Sequence, residues 1–141
     1  MTTKPDLIRR QQALAATLEK YRAKPFDWRG GTTCVHMARF HLRKMGHRPE
    51  KLPAIRSLLA ARRALDARGW ADVRAMLASM LPEIPPAAML PGDLATADGP
   101  DGLGGILVCA GPHKLIGWHE DTAEMVVIDY DPAAVTGAFR V

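Results

Sequence analysis

The stretch of sequence that decides the fold is residues 25–34, Pro-Phe-Asp-Trp-Arg-Gly-Gly-Thr-Thr-Cys. The proline, the aspartate and the two adjacent glycines favour a turn, because each of them disfavours continued regular structure. Thr32 or Thr33 is suited to cap a following helix, since a threonine hydroxyl accepts a hydrogen bond from a free amide of the first turn. The stretch therefore predicts a helix that begins at residues 32–34, places Cys34 at its start and ends at Gly46.

Three more helices are predicted in the first half of the chain. Residues 5–22 form one, and Pro25 limits its end. Residues 52–67 form another, ended by Gly69, and residues 70–81 form the last, ended by Pro82. The expected inward stripe of the first helix is Leu7, Gln11, Leu14, Leu18 and Tyr21, and that of the helix after Cys34 is Val35, Ala38, Leu42 and Met45.

The second half of the chain reads as short strands. Five apolar runs, separated by proline and glycine, cover residues 93–97, 106–109, 115–118, 125–128 and 138–141. Gly111-Pro112 and Glu120-Asp121 are turn signals, so the middle runs are predicted to form consecutive antiparallel hairpins. Helices followed by a meander indicate an α+β fold, with a helical layer packed on a small antiparallel sheet.

Length and composition restrict the class of protein. The chain has 141 residues, of which 48% are hydrophobic and 24% charged, which is typical of one soluble globular domain rather than a disordered chain. No apolar run approaches the roughly 20 residues that span a bilayer. The charged N-terminal residues do not resemble a secretory leader, which favours folding in a cytoplasm. Cys34 and Cys109 are too few for a disulfide scaffold and too far apart for a metal knuckle.

Charge is distributed unevenly along the sequence. Residues 1–70 carry 16 Lys/Arg and 5 Asp/Glu, whereas residues 71–141 carry 3 Lys/Arg and 10 Asp/Glu. Such asymmetry is compatible with a nucleic-acid face or with contacts to oppositely charged neighbours in an assembly. The simplest interpretation is that a basic helical layer packs on an acidic sheet, because the cations are spread over several helices.

The element order and three short motifs resemble the NlpC-type papain-like cell-wall peptidases, in particular their small phage- and prophage-encoded branch. In that family a Pro-Phe-x-Trp-Gly-like segment leads into Asn-Asp-Cys, as residues 25–30 lead into Thr32-Thr33-Cys34. A Gly-Asp that starts the family's sheet is matched by Gly92-Asp93, and a final aromatic-Arg strand by residues 138–141. The resemblance spans residues 24–141 and implies a papain-like NlpC domain over residues 25–141, preceded by an N-terminal helix within residues 1–24, in one compact domain overall.

The resemblance implies that Cys34 occupies the nucleophile position. A helix N-terminus favours a thiolate, so this placement predicts a lowered thiol pKa; the alternative is that Cys34 is a small buried hydrophobic residue. The family's base histidine opens a His-Val-Gly-Ile strand, which corresponds here to residues 103–106, Leu-Gly-Gly-Ile, and the third polar residue falls near Gly117. Both partner positions therefore lack a titratable side chain, which a nucleophilic cysteine requires.

Another histidine would have to act as the base if Cys34 were active. His119 follows the empty third position by two residues and is the candidate base, although an exposed residue at a strand end is the simpler interpretation. The remaining histidines are less suitable. His36 points to another side of its helix, His41 lies roughly 10 Å along the helix axis, His47 follows the helix end, and His113 belongs to a turn.

Metal, phosphate and cation binding have weaker support in the sequence. His36 and His41 are five residues apart, which does not suit a shared helical metal face, and no phosphate-loop lysine accompanies the glycines of residues 99–105. Asp98 and Asp101 could hold a cation, but two carboxylates are a weak signal. No cofactor is predicted. The tryptophans, interpreted as core or interface anchors rather than a binding cage, are Trp28, Trp70 and Trp118.

The function that the resemblance implies is that of a structural protein of a phage-type tail, at the tip or baseplate, with a catalytically degenerate NlpC-like fold. Its expected partners are other tail and baseplate proteins and peptidoglycan, and its expected location is the virion, after assembly in the host cytoplasm. One alternative is an active cysteine peptidase or amidase that cleaves peptidoglycan peptides during infection. Another is a nucleic-acid-binding protein that uses the basic half; it ranks last, because the sequence carries no known reading motif.

Overall fold

Helices precede strands along the chain, and the helices pack on one antiparallel sheet. The structure is a computed structural model that describes residues 6–51, 54–99, 101–118 and 123–141. The helices are α1 (Asp6–Tyr21), α2 (Cys34–Lys44), α3 (Leu58–Asp66) and α4 (Val73–Ala78). The strands are β1 (Glu83–Ile84), β2 (Leu94–Ala97), β3 (Gly105–Gly111), β4 (Lys114–Gly117), β5 (Val126–Asp129) and β6 (Gly137–Phe139). The α+β architecture predicted from the sequence is therefore confirmed.

The sheet has the order β1-β6-β2-β3-β4-β5, and every neighbouring pair is antiparallel. Strands β3 to β5 form the predicted run of hairpins, and β2 pairs with β3 on the other side. The first turn of that run, at Gly111, coincides with a register shift in β3, and the predicted turn at Glu120-Asp121 lies outside the described residues. Strand β1 was not predicted, because two residues next to prolines carry no strand periodicity and pair only through β6.

Helix α2 lies against the centre of the sheet and is the element that the sequence predicts best. Its inward residues Val35, Ala38 and Leu42 are buried, as is Met45 at its end. The sequence missed Met37 and His41, which are also buried because α2 is covered by α1 on one side and by β3 on another. A helix packed on two sides buries more than one stripe.

Helix α1 packs on α2 with a face that coincides only in part with the predicted one, since Tyr21, Leu14 and Leu18 contact the core. The buried positions are Arg10, Ala13, Thr17 and Tyr21, whereas Leu7 is 54% exposed. Gln11 is exposed as well, and Leu14 and Leu18 are only half-buried. The stripe prediction was wrong for Leu7 and Gln11 and missed Arg10 and Thr17, because hydrophobicity alone cannot show that these two residues find buried polar partners.

Helices α3 and α4 are shorter than predicted. Helix α3 starts at Leu58, after the cap Ser57; residues 54–57 are not helical, and the predicted start at residue 52 lies outside the described residues. Helix α4 starts after the cap Asp72 and ends at Ala78, so the predicted span of 70–81 is too long at both ends. In both helices a side-chain oxygen that accepts an amide hydrogen bond begins the helix, and this local signal outweighed the apolar pattern. None of the described helices is long and apolar enough to cross a membrane.

Candidate functional site

The turn before α2 positions Cys34. Asp27 and Thr32 pair through two backbone hydrogen bonds of 3.1 and 3.0 Å, which close a tight loop around Gly30 and Gly31. Gly31 has a φ of +71°, a conformation that side chains disfavour. Thr33 is then the N-cap of α2, and Cys34 is the first helical residue. The predicted placement of Cys34 in the first turn of a helix that packs on β3 is confirmed.

The environment of the Cys34 sulfur does not favour a thiolate. Burial raises the pKa of Cys34 to about 11, and the nearby Asp101 carboxylate acts in the same direction. Backbone amides of Ile106 and Val35 lower this pKa, but they do not offset the loss of water. The predicted lowering of the thiol pKa by the helix N-terminus is therefore wrong for this buried sulfur. Among the described groups that act on the thiol there is no imidazole.

The segment where the resemblance places a base histidine is filled by an apolar side chain and two glycines. Leu103 is 3% exposed and belongs to the hydrophobic core, and its carbonyl oxygen accepts the first amide of α4, that of Val73, at 3.0 Å. Gly104 has a φ of +82°, and a Cβ there would lie 3.0 Å from the carbonyl oxygen of Ala97. A Cβ at Gly105 would meet nothing within 4 Å. The backbone could accept a side chain at Gly105, but the sequence supplies none.

The third partner position is closed by packing. A Cβ at Gly117 would lie 3.0 Å from Cδ2 and 3.2 Å from Cγ of Leu107 on the adjacent strand. A polar residue at position 117 would therefore have to displace a buried leucine. The two segments that the resemblance assigns to the catalytic partners thus contain the buried Leu103 and the tightly packed Gly117.

His36 and His113 contact other side chains, as His41 does. Nδ1 of His36 lies 2.7 Å from the Thr33 hydroxyl, and the ring packs edge-on against Trp28 with centroids 6.4 Å apart. Burial lowers the pKa of His36 and also that of His47. His113 lies in the predicted turn after Gly111, where its ring packs against Tyr130. His119 lies outside the described residues, so its role as a candidate base stays a prediction.

His41 is a buried histidine with two hydrogen-bond partners. Its Nε2 lies 2.8 Å from the carbonyl oxygen of Gly92, and its Nδ1 lies 2.8 Å from the hydroxyl of Thr17. The carbonyl oxygen of Gly92 can only accept, so Nε2 is the donor in that contact. The hydroxyl of Thr17 has a single proton and also lies 2.9 Å from the carbonyl oxygen of Ala13, to which it donates. Burial lowers the pKa of His41, which favours the neutral imidazole. His41 joins α1, α2 and the loop before β2.

A buried ion pair next to His41 was not predicted from the sequence. Arg10 of α1 donates to Asp93 at 2.8 Å and to the backbone oxygen of Val141 at 2.7 Å. Asp93 is fully buried and also accepts the amides of Leu90 and Val141, at 2.8 and 3.0 Å. The Gly-Asp motif at residues 92–93 was the available signal. Asp93 lies just before β2 and connects this strand to Leu90 and to the C-terminal Val141. Its ion pair with Arg10 anchors α1 to the sheet.

Aromatic side chains form a row beside the turn that precedes Cys34. Neighbouring rings in the row lie 5.6–6.4 Å apart and nearly perpendicular to each other, an arrangement that favours aromatic pairs. The indole of Trp118 also donates to the carbonyl oxygen of Lys24 at 2.9 Å. The members, in order, are Phe40, Tyr21, Trp118, Phe26, Trp28 and His36. Trp28 and Trp118, like Trp70 elsewhere, pack against the core as anchors.

Taken together, these contacts are typical of a buried cysteine that contributes to packing. The sulfur lies at a helix start, next to backbone amides, but it is enclosed by apolar groups and keeps its proton at neutral pH. Groups of three or more metal-ligating side chains do not occur in the described parts of the chain. Asp101, which the sequence offered as a cation ligand, accepts the amide of Leu103 at 2.9 Å.

The sequence matches the family described as "Domain of unknown function (DUF6950)" over residues 7–141. The chain belongs to this family. A comparison with curated proteins gives no match.

Several solved structures share the fold of this family member. The NlpC/p60 domain of the peptidoglycan hydrolase SagA aligns with a TM-score of 0.61 and 18% identity, over 93% of this chain and 98% of that one. The P60 domain of the M. avium paratuberculosis antigen MAP1272c aligns with a TM-score of 0.62 and 18% identity, over 96% of both chains. The peptidoglycan hydrolase RipB from Mycobacterium tuberculosis aligns with a TM-score of 0.63 and 14% identity, over 99% of this chain and 68% of that one. The fold is thus that of NlpC/p60 domains.

Proposed function

We propose that this chain is a catalytically inactive NlpC/p60-fold domain that serves as a structural protein of a phage-type tail. The main observation in support of an inactive domain concerns Cys34. Its pKa of about 11 keeps the thiol protonated, and its described neighbours include no imidazole. General acid–base help typically contributes 10²–10⁴-fold to such reactions, so its absence leaves turnover near background.

Two observations support a role in a tail. The motifs of residues 25–34, 92–93 and 138–141 resemble the phage- and prophage-encoded branch of the NlpC superfamily. The charge asymmetry between the two halves of the chain suits fixed contacts with several neighbouring subunits. Tail tips and baseplates meet the cell wall, so peptidoglycan is the expected surface that this domain touches. Mass spectrometry of purified tail particles should detect the chain, and its absence from intact particles would refute this location.

A second candidate function is an active peptidoglycan hydrolase. It is favoured by the placement of Cys34 in the first turn of α2 and by structural neighbours that are themselves described as peptidoglycan hydrolases. This alternative needs a base from outside the described residues, and His119 is the candidate within the chain.

Incubation of the purified protein with peptidoglycan fragments separates the two functions. We expect no released peptide from the wild type, from Cys34→Ala or from His119→Ala, while an active NlpC/p60 hydrolase cleaves the same fragments as a positive control. Cleavage by the wild type that is lost in both variants would refute the inactive domain and identify His119 as the base. Cleavage that is lost only in Cys34→Ala would also refute the inactive domain, and the base would then have to lie elsewhere, for example on a neighbouring subunit.

A further inference from the structure

Strand β5 is the last strand on one side of the described sheet, and it pairs only with β4. The hydrogen bonds at its two ends show which backbone groups point away from β4. The amide of Tyr130, just after β5, donates to the turn before β4, whereas the amide of Met125, just before β5, donates to the carbonyl oxygen of Lys24 on the other side. Successive residues of a strand direct their amides to opposite sides, so Val127 and Asp129 face outward as Met125 does.

The outward N–H and C=O groups of Val127 and Asp129 have no hydrogen-bond partner in the described part of the chain. The Val127 side chain is 50% exposed as well. An edge strand with free backbone groups and an apolar side chain is a template for a further strand. The same edge already holds a short extended segment, because residues 24–25 pair with residues 124–125. That segment leaves residues 127–129 open.

The open part of the edge is acidic. The side chain of Asp129 is 78% exposed, and it pairs with Lys114 on β4. Asp131, just after the strand, is also exposed; its carboxylate accepts the amide of Ala133 at 2.9 Å and forms no ion pair within the described residues. A second copy that paired through its own β5 would bring two sets of these carboxylates together, and like charges across a strand pair are destabilising. A strand with cations opposite the carboxylates is favoured instead.

We propose that the outer edge of β5 binds an extended basic segment of a partner protein, which adds to the sheet as a further antiparallel strand. Backbone hydrogen bonds to Val127 and Asp129 hold the segment, and its alternate side chains provide specificity. A lysine or arginine fits opposite Asp129, and a β-branched residue fits opposite Val127, so the segment contains Lys-x-Val or a close equivalent. The site does not use Cys34, so it goes beyond the proposed function and does not depend on it.

NMR titration of isotope-labelled protein with the blocked peptide Ac-Lys-Thr-Lys-Thr-Val-Thr-NH2 tests the charge preference. We expect saturable binding that shifts the amide signals of Val127 and Asp129 and protects both amides from hydrogen exchange. The same peptide with glutamate in place of both lysines should bind about tenfold more weakly or worse, because attractive cross-strand pairs become repulsive. Asp129→Asn should weaken binding of the lysine peptide about threefold.

Glu124→Gln is the matched control for Asp129→Asn. Glu124 is an exposed carboxylate on the same edge, but it lies beside Pro25, in the part that is already occupied. It is separated from Asp129 by about 17 Å along the strand, which exceeds the screening length of about 8 Å at physiological salt. This variant should therefore bind the lysine peptide as the wild type does.

Modified peptides test the backbone pairing without a protein variant that could fail to fold. N-methylation of the peptide valine removes the N–H that faces Val127 and should abolish binding, whereas N-methylation of the threonine before it, whose N–H faces solvent, should change the affinity by less than about twofold. The proposal is overturned if the lysine peptide shows no saturable binding, if the glutamate peptide binds as tightly, if Glu124→Gln weakens binding as much as Asp129→Asn, if the shifted amides lie elsewhere, or if both N-methylated peptides bind equally well. A dimer in sedimentation experiments that Val127→Pro dissociates would also overturn it, because a second copy would then occupy the edge.

Discussion

At Cys34 two opposing effects act on one thiol. The start of a helix favours the thiolate through unpaired amides, whereas enclosure by apolar side chains favours the neutral thiol. The second effect is larger here, because the pKa of Cys34 rises to about 11. A position in the first turn of a helix therefore does not by itself lower a thiol pKa when burial excludes water and the described neighbours include no imidazole.

Alkylation of Cys34 should therefore be slow and strongly pH-dependent. In a Cys109→Ala background, the rate at pH 7.5 should lie about two orders of magnitude below that of an exposed cysteine, because the thiolate fraction is that much smaller. The rate should rise about tenfold per pH unit up to pH 10. Mass spectrometry of iodoacetamide-treated protein gives the rates, and a plateau near pH 7 would show an activated thiol instead.

At the scale of elements, buried polar groups as well as apolar side chains attach α1 to the rest of the fold. The ion pair between Arg10 and Asp93 and the hydrogen bonds of His41 join α1, α2 and the start of β2. Buried polar networks of this kind allow few alternative packings, because any displacement leaves a charge or a donor unpaired.

Asp93→Asn should destabilise the protein by at most about 3–5 kcal/mol, because it removes the buried carboxylate that pairs with Arg10 and leaves only the exposed Asp6 as its ionic partner. Asp6→Asn is the matched control, since Asp6 also binds Arg10, at 2.6 Å, but its side chain is 54% exposed. The control should cost at most about 1 kcal/mol. Urea unfolding measures the free energy of unfolding of both variants. An equal decrease in the two variants would contradict a dominant role for the buried pair of Arg10 and Asp93.

His41 should make stability fall as the pH falls. Burial lowers the pKa of His41 in the folded protein, so below its unfolded value of about 6.5 the unfolded chain binds a proton that the folded chain does not. This contribution is complete above pH 6.5 and is lost progressively on acidification. The free energy of unfolding should therefore decrease more steeply between pH 8 and pH 5 in the wild type than in His41→Gln. His36 and His47 remain in both proteins, so parallel curves would refute the assignment to His41.

At the scale of the whole molecule, the basic half and the acidic half meet inside the fold. The contact between Arg10 and Asp93 is one place where the helical layer pairs with the sheet, in agreement with the interpretation that a basic layer packs on an acidic sheet. Most other ion pairs of the described residues are at the surface, where they add little to stability.

Binding to duplex DNA should be weak and should vanish by moderate salt, because no recognition motif accompanies the basic residues. Fluorescence anisotropy with a labelled duplex at increasing salt concentration measures it. Nanomolar affinity at physiological salt with a steep salt dependence would instead support a nucleic-acid-binding function.

The local features of this protein could be predicted from its sequence. The turn at residues 25–31, the helix start at Thr33, the central hairpins and the position of Cys34 follow from capping and turn residues, which act over a few neighbours. Only the tertiary structure decided which groups are buried together. Arg10 and Asp93 are 83 residues apart, Leu107 closes the space at Gly117 from an adjacent strand, and the enclosure of Cys34 reverses the effect of its helix start. Burial depends on contacts distant in sequence, so no local pattern of residues encodes it.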